Sequence, residues 1–169
     1  MIIFETERLI VRHFRESDAD DFFLLQGNPD VMRFIRPVKN REESDAFLLE
    51  AIAGYTEPWM GRWAVEEKRT GKFIGSFVVN PIPEDKEKTQ LGYAFIPEYW
   101  GKGLATEVTK AGLEYFYYET PLQQIFGVVE AANHVSQKVL LKTGFQPFDS
   151  FMEGEKEILR FVYTRQVLL

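Results

Sequence analysis

The chain has 169 residues, 45% of them hydrophobic and 27% charged, with a formal net charge of -6 and no cysteine. The missing thiols exclude disulfides, zinc-thiolate and iron-sulfur sites and a cysteine nucleophile. The acidic balance argues against gripping nucleic acid or an anionic membrane by bulk charge, and favours a neutral or cationic partner.

A chain of this size can bury about two-thirds of its unfolded surface, so a single domain over residues 1–169 is expected. The N-terminus, Met1-Ile2-Ile3-Phe4-Glu5, has no basic flank or long apolar core of the kind a secretory signal needs. No stretch approaches about 18 apolar residues, so nothing is expected to span a bilayer and a cytoplasmic location is expected.

In chain order, Arg8 to Phe14 is β-branched and apolar and ends at Glu16-Ser17-Asp18, which reads as a first strand and a helix cap. Asp18 to Gln26 follows as a helix, broken by Gly27-Asn28-Pro29-Asp30, with a short second piece over Val31, Met32, Phe34 and Ile35 before Pro37. Arg41 to about Tyr55 is amphipathic, with Phe47, Leu48, Ala51 and Ile52 on one side. Arg62–Glu66 and Phe73–Val79 flank Lys68-Arg69-Thr70-Gly71-Lys72 as a β-hairpin. Pro81 to Lys88 reads as a polar connection and Thr89 to Ile96 as a strand. A helix then runs from Leu104 to Thr120-Pro121, a strand over Gln124–Val129, a helix over Asn133–Lys142, and closing strands over Gln146–Met152 and Ile158–Val167. The order β, α, α, β, β, β, α, β, α, β, β implies an α/β domain with a mixed sheet, locally parallel strands and helices on both faces.

The segment Tyr99-Trp100-Gly101-Lys102-Gly103-Leu104-Ala105-Thr106 joins a strand to a long helix. Two glycines let backbone approach a ligand, and unpaired N–H groups at a helix start favour an anion, so a phosphate or pyrophosphate is the natural guest. The third glycine of a dinucleotide fingerprint is absent, with Thr106 in its place, and no G-x-x-x-x-G-K-[ST] occurs.

With its context, Leu91 to Glu107, this loop resembles the acetyl-CoA motif of the GNAT N-acetyltransferases, Arg/Gln-x-x-Gly-x-Gly/Ala, matched at Gly103 and Ala105 but with Trp100 in the Arg/Gln position. The Tyr-Trp-Gly-Lys-Gly-x-Ala form is similar to the branch named for ribosomal-protein N-terminal acetyltransferases. Asn133 to Phe145 resembles that branch's Asn-x-x-Ser-x-x-(apolar)-(apolar)-x-Lys-x-Gly-Phe segment, and Thr6 to Arg12, Asp18 and Val31 to Ile35 its opening elements.

The resemblance implies a GNAT-like fold, a central, mostly antiparallel sheet with a splayed parallel pair. It implies acetyl-CoA as cofactor and direct transfer of acetyl to a primary amine, a protein N-terminal α-amine or a small molecule. Backbone N–H groups near Phe95 and Ile96 would bind pantetheine and polarise the thioester carbonyl, amides of Trp100, Gly101, Lys102, Gly103, Leu104, Ala105 and Thr106 would hold pyrophosphate, and Asn133 would contact the pantetheine arm. Many relatives place a tyrosine acid four residues before the Gly-Phe pair, where this chain has Leu140, so the role shifts to Ser136. Glu98 and Glu130 are the carboxylates considered as base, with Glu66 and Glu67 further off. His13 and His134 are isolated and make no metal site. Phe34, Tyr55, Trp59 and Trp63 could line an acceptor pocket or be core, and Phe161-Val162-Tyr163 could serve a homodimer or be core. The contrasting reading is a non-catalytic acyl-CoA-binding module.

Overall fold

The computed structural model describes residues 1–166. Its strands are β1 (Ile2–Glu5), β2 (Leu9–Arg12), β3 (Gly61–Glu67), β4 (Phe73–Ile82), β5 (Asp85–Phe95), β6 (Gln124–Glu130), β7 (Gln146–Glu153) and β8 (Lys156–Thr164). The helices are α1 (Ala19–Gln26), α2 (Pro29–Met32), α3 (Arg41–Ala53), α4 (Leu104–Glu119) and α5 (His134–Lys142). Together the strands form one sheet in the order β1-β2-β3-β4-β5-β6-β8-β7, antiparallel except for β5 with β6. The expected mixed sheet with one parallel pair is therefore present.

Side-chain alternation along the strands divides the core between the two faces of the sheet. On one face, Trp63, Val65, Phe77, Leu91 and Phe95 pack with Leu104, Val108, Leu113 and Phe116 of α4 and Leu140 of α5. On the other, Ala64, Phe73, Ala94 and Ile96 meet Phe22, Leu25, Val31, Met32 and Leu48 of α1–α3. Local chemistry fixes the helix starts. Asn28 caps α2 with Pro29 in its first turn, and Asn40 and Glu43 form a reciprocal capping box on α3.

Arg12 anchors β2 to its surroundings. Its guanidinium forks onto both carboxylate oxygens of Asp18 at 2.9 Å and reaches Glu66 of β3 at 2.8 Å, all in the interior. That committed pair removes Glu66 from the candidate bases.

Three sequence expectations change. Strand β1 was not expected, because four residues, Ile2–Glu5, give too short a pattern to read. The supposed connection Pro81–Lys88 is instead the tip of the β4–β5 hairpin, with Asn80, Pro81 and Ile82 opposite Gln90, Thr89 and Asp85. Its charges serve the sheet, since Asp85 accepts from Lys88 at 2.8 Å and from Arg160 of β8 at 3.1 Å. The last strand ends at Thr164, and the expected end, Val167, lies outside the described residues. Phe161 is 4% exposed and Tyr163 packs against the same cluster, so of the two readings of the closing strand these side chains fit the core.

Candidate active site

Strands β5 and β6 share a single paired position, Gln90 with Phe126, among the described residues. Beyond it β5 stays with β4 as far as Phe95, and β6 stays with β8 as far as Glu130. The two parallel strands therefore part, leaving backbone on each side without a neighbour.

Which β5 amides face the gap follows from register. Ile96 N–H donates to the Ile74 carbonyl at 2.9 Å, while Phe95 lies opposite Gly75. In an antiparallel ladder this makes Phe95–Gly75 a non-hydrogen-bonded pair, and alternation makes Tyr93–Phe77 another. The N–H groups of Tyr93 and Phe95 thus point away from β4 into the gap. Ile96 is a correction: its amide closes the last rung with β4 and is not free.

The loop after β5 is a ring of donors. Gly101 and Gly103 have φ of 72° and 78°, conformations that glycine adopts without strain, and they turn the chain into α4. The six amides from Gly101 to Thr106 have no hydrogen-bond acceptor among the described residues, as the first turn of a helix requires. A Cβ at Gly101 would meet nothing within 4 Å, so the surface in front of the loop is open.

Trp100 differs from expectation. Its N–H is spent on the Pro97 carbonyl at 3.0 Å and its indole Nε1–H donates to Phe95 O at 2.7 Å. It positions the loop against the end of β5 rather than offering its amide as a phosphate ligand.

Arg8, which the sequence reading left out, stands over the same loop. Its Nη1 donates to Lys102 O at 3.0 Å and its Nε to Glu107 Oε1 at 2.8 Å. Burial opposes charge on Glu107, but hydrogen bonds from Thr6 and Arg8 outweigh it and hold the carboxyl below its ordinary range. Arg8 thus sits beside the donor ring, held by the Lys102 carbonyl and by its ion pair with Glu107.

On the α4–α5 side of the gap, Asn133 caps α5 by accepting the Ser136 N–H at 3.2 Å. The Ser136 hydroxyl lies 3.1 Å from Tyr93 Oη, which reaches it from β5. Burial pushes the Tyr93 phenol up, and the Ser136 hydrogen bond only partly offsets this, so Tyr93 is a neutral hydroxyl at physiological pH. The structure thus brings Ser136, Asn133 and the Tyr93 and Phe95 amides to one gap. Tyr93 was missed because a tyrosine on a half-buried strand looks like packing. Leu140 is 2% exposed and packs onto Gly127, so no side chain at that position reaches the gap without rearranging the core.

The two carboxylates stand differently. Glu98 is exposed in the turn Pro97–Tyr99, and Glu130, at the end of β6, is ion-paired with Lys156 at 3.0 Å. Of the aromatic residues considered for an acceptor pocket, Trp63 is completely buried beneath α4 and is core. Tyr55 is pinned, accepting Phe14 N–H and donating to the Arg62 carbonyl. His134 is exposed at the start of α5, and no group of His, Asp and Glu that could hold a metal occurs among the described residues.

Comparison with known proteins places this geometry in a family. Residues 8–146 match the model of the acetyltransferase (GNAT) domain. An uncharacterized N-acetyltransferase of Bacillus subtilis, YoaA, is 32% identical over 146 residues, 85% of this chain and 82% of that protein. A GNAT-family acetyltransferase from Bacillus anthracis superposes with a TM-score of 0.84 at 22% identity, over 97% of this chain and 98% of its own. The ribosomal L7/L12 α-N-protein acetyltransferase RimL, solved with coenzyme A, superposes with a TM-score of 0.83 at 14% identity, over 97% and 98% of the two chains.

Proposed function

The chain belongs to the GNAT acetyltransferase family, and from that premise we propose that it moves an acetyl group from acetyl-CoA to a primary amine by direct attack. The observation that carries this reading is the conjunction of a parted β5–β6 pair with six unpaired amides at the α4 N-terminus. The gap suits an extended pantetheine arm, and the donor ring with its helix dipole suits a pyrophosphate.

Acetyl-CoA supplies the activated acyl carbon and a thiol leaving group, and the residues of the chain do the rest. The N–H groups of Tyr93 and Phe95 donate to the thioester oxygen and stabilise the negative charge that develops on it. The Ser136 hydroxyl donates a hydrogen bond to the departing sulfur, and Tyr93 Oη behind it orients the serine hydroxyl. The amine's proton makes a smaller demand. An α-amine with pKa about 7.7–8.0 is roughly a tenth neutral near pH 7. For such an acceptor water can remove the proton without Glu98 or Glu130 as a fixed base, whereas an alkyl amine of pKa about 10.4 is neutral in fewer than about one part in a thousand and makes the larger demand.

The test is release of CoA thiol from acetyl-CoA in the presence of short peptides and small amines. Acceptor-dependent release, with the acetylated amine identified by mass, is the expected result. Tight CoA binding without turnover on any acceptor would replace the enzyme with an acyl-CoA-binding module.

A further inference from the structure

Three cations gather on the α1–α3 face of the sheet without a carboxylate among them. The guanidinium carbons of Arg36 and Arg62 lie 5.3 and 5.0 Å from the centre of the Phe47 ring, and Lys39 Nζ lies 5.0 Å from it. No Asp or Glu among the described residues comes within ion-pair distance of any of the three, although Arg8, Arg12, Arg41 and Arg160 all have such partners. The Arg36 guanidinium has one oxygen partner, the buried Gln26 Oε1 at 3.2 Å, and that of Arg62 has no hydrogen-bond acceptor among the described residues. Glu50, the nearest acid in effect, acts on Arg62 only at a distance.

The electrostatics of the cluster are unfavourable as it stands. Burial and the neighbouring Arg36 push Arg62 down to about 10, and burial also lowers Arg36. In a chain with 26 acidic residues, a half-buried arginine pair left without a counter-ion is an anomaly that a bound anion would resolve.

Position gives the cluster its meaning. Arg62 on β3 is opposite Val78 on β4, which is opposite Gly92 on β5. Cross-strand partners share a face, and Ala64 and Ala94 mark it as the α1–α3 face. Gly92 lies just past the last β5–β6 rung, on the open edge of the gap. Two strand spacings, roughly 10 Å, separate its backbone from that of Arg62, which puts the cluster on the acceptor side near the gap.

We propose that Arg36 and Arg62 bind an anionic group of the acetyl acceptor, so that the substrate is a primary amine carrying a carboxylate or phosphate. This rests on the acetyltransferase reading and refines it, and it reverses the expectation of a cationic acceptor drawn from the net charge. The free carboxylate at the end of a short peptide supplies that chemistry together with an α-amine. A long ω-aminoalkyl phosphate supplies the same chemistry from another source.

The experiment compares matched acceptors: a tripeptide free acid with its C-terminal amide, an ω-aminoalkyl phosphate with its alcohol, and a polyamine. kcat/KM is measured for each, and calorimetric binding to the CoA-loaded protein is measured separately. Wild type is expected to favour at least one anionic member over its neutral partner by about tenfold or more, as a charge-assisted contact implies. The carboxylate and phosphate arms identify the source. Arg62→Gln and Arg36→Gln should each reduce the preference to about twofold or less while CoA still binds normally. Equal use of acid and amide, or preference for the polyamine, overturns the proposal. Anion-selective binding without CoA release would sink the transferase reading and leave the anion site standing, whereas turnover without anion preference would do the reverse.

Discussion

If Tyr93 acts through Ser136 rather than on the substrate, removing the two hydroxyls together should cost little more than removing Ser136 alone. The hydroxyls are 3.1 Å apart, an ordinary neutral hydrogen bond worth about 0.5–1.5 kcal/mol. At about 1.4 kcal/mol per decade, Tyr93→Phe should lower kcat by roughly twofold to tenfold. Ser136→Ala removes the group proposed beside the leaving sulfur, and a positioned acid contributes about a hundredfold or more. In the Ser136→Ala background, Tyr93→Phe should then change kcat by less than about twofold, a coupling nearly as large as its own single effect. The assay is initial-rate thiol release at saturating acetyl-CoA and acceptor, with CoA affinity measured by calorimetry to show that the cofactor still seats. Unchanged kcat in Ser136→Ala with normal CoA binding refutes the role of the serine. Strictly multiplicative losses in the double variant refute the arrangement in which tyrosine acts through serine, and would assign Tyr93 its own contact with the reacting atoms.

Gly103→Ala should weaken CoA binding by roughly fivefold to tenfold in calorimetry with little loss of Tm. Its Cβ has room, 3.7 Å from Arg8 Nη2, but φ of 78° costs alanine about 1 kcal/mol, and relaxing it turns the donor ring. Asp18→Asn removes one of the two carboxylates on the Arg12 guanidinium, leaving Glu66 at 2.8 Å, and should destabilise by about 1–3 kcal/mol in denaturant titration, with a matching fall in Tm. His13 stacks on Tyr55 at 3.8 Å, and burial, then the N-terminal amine, lowers its pKa from 6.5. The unfolded chain thus binds the extra proton just below pH 6.5. Stability should therefore be full above that value and fall as pH drops from it toward the folded pKa, a slope that His13→Phe should abolish in urea titrations taken at several pH values.

The parts of the site that were legible in the sequence are the ones made by backbone. Gly101 and Gly103 between a strand and an amphipathic helix announce a ring of free amides, because no side chain can substitute for the geometry they permit. The parting of β5 and β6 followed from the family resemblance, and register then corrected it by one residue, exchanging the amide of Ile96 for that of Tyr93. Such a shift cannot be seen without the partner strand, since alternation tells which residues share a direction but not which direction faces the gap. Side chains that act across long sequence separations were invisible. Tyr93 meets Ser136 across 43 positions and Arg8 meets Glu107 across 99, and nothing local marks either residue. The charged hairpin tip was misread for a related reason, because Asp85 and Lys88 look like loop polarity until Arg160 is placed beside them.

Net charge misleads about this protein in an instructive way. A total of -6 describes the field seen from a distance, which salt screens within about 8–10 Å. Recognition happens inside that length. Around the α4 loop, positive potential comes from six amides, a helix terminus and Arg8, and over Phe47 it comes from three side-chain cations without an ion-paired carboxylate. These two positive regions lie toward opposite faces of the same sheet, with the β5–β6 gap between them. An acceptor drawn to the second by its anionic end would present its amine at the gap, where the chain's own positive charge is thinner and a neutral amine is not disfavoured.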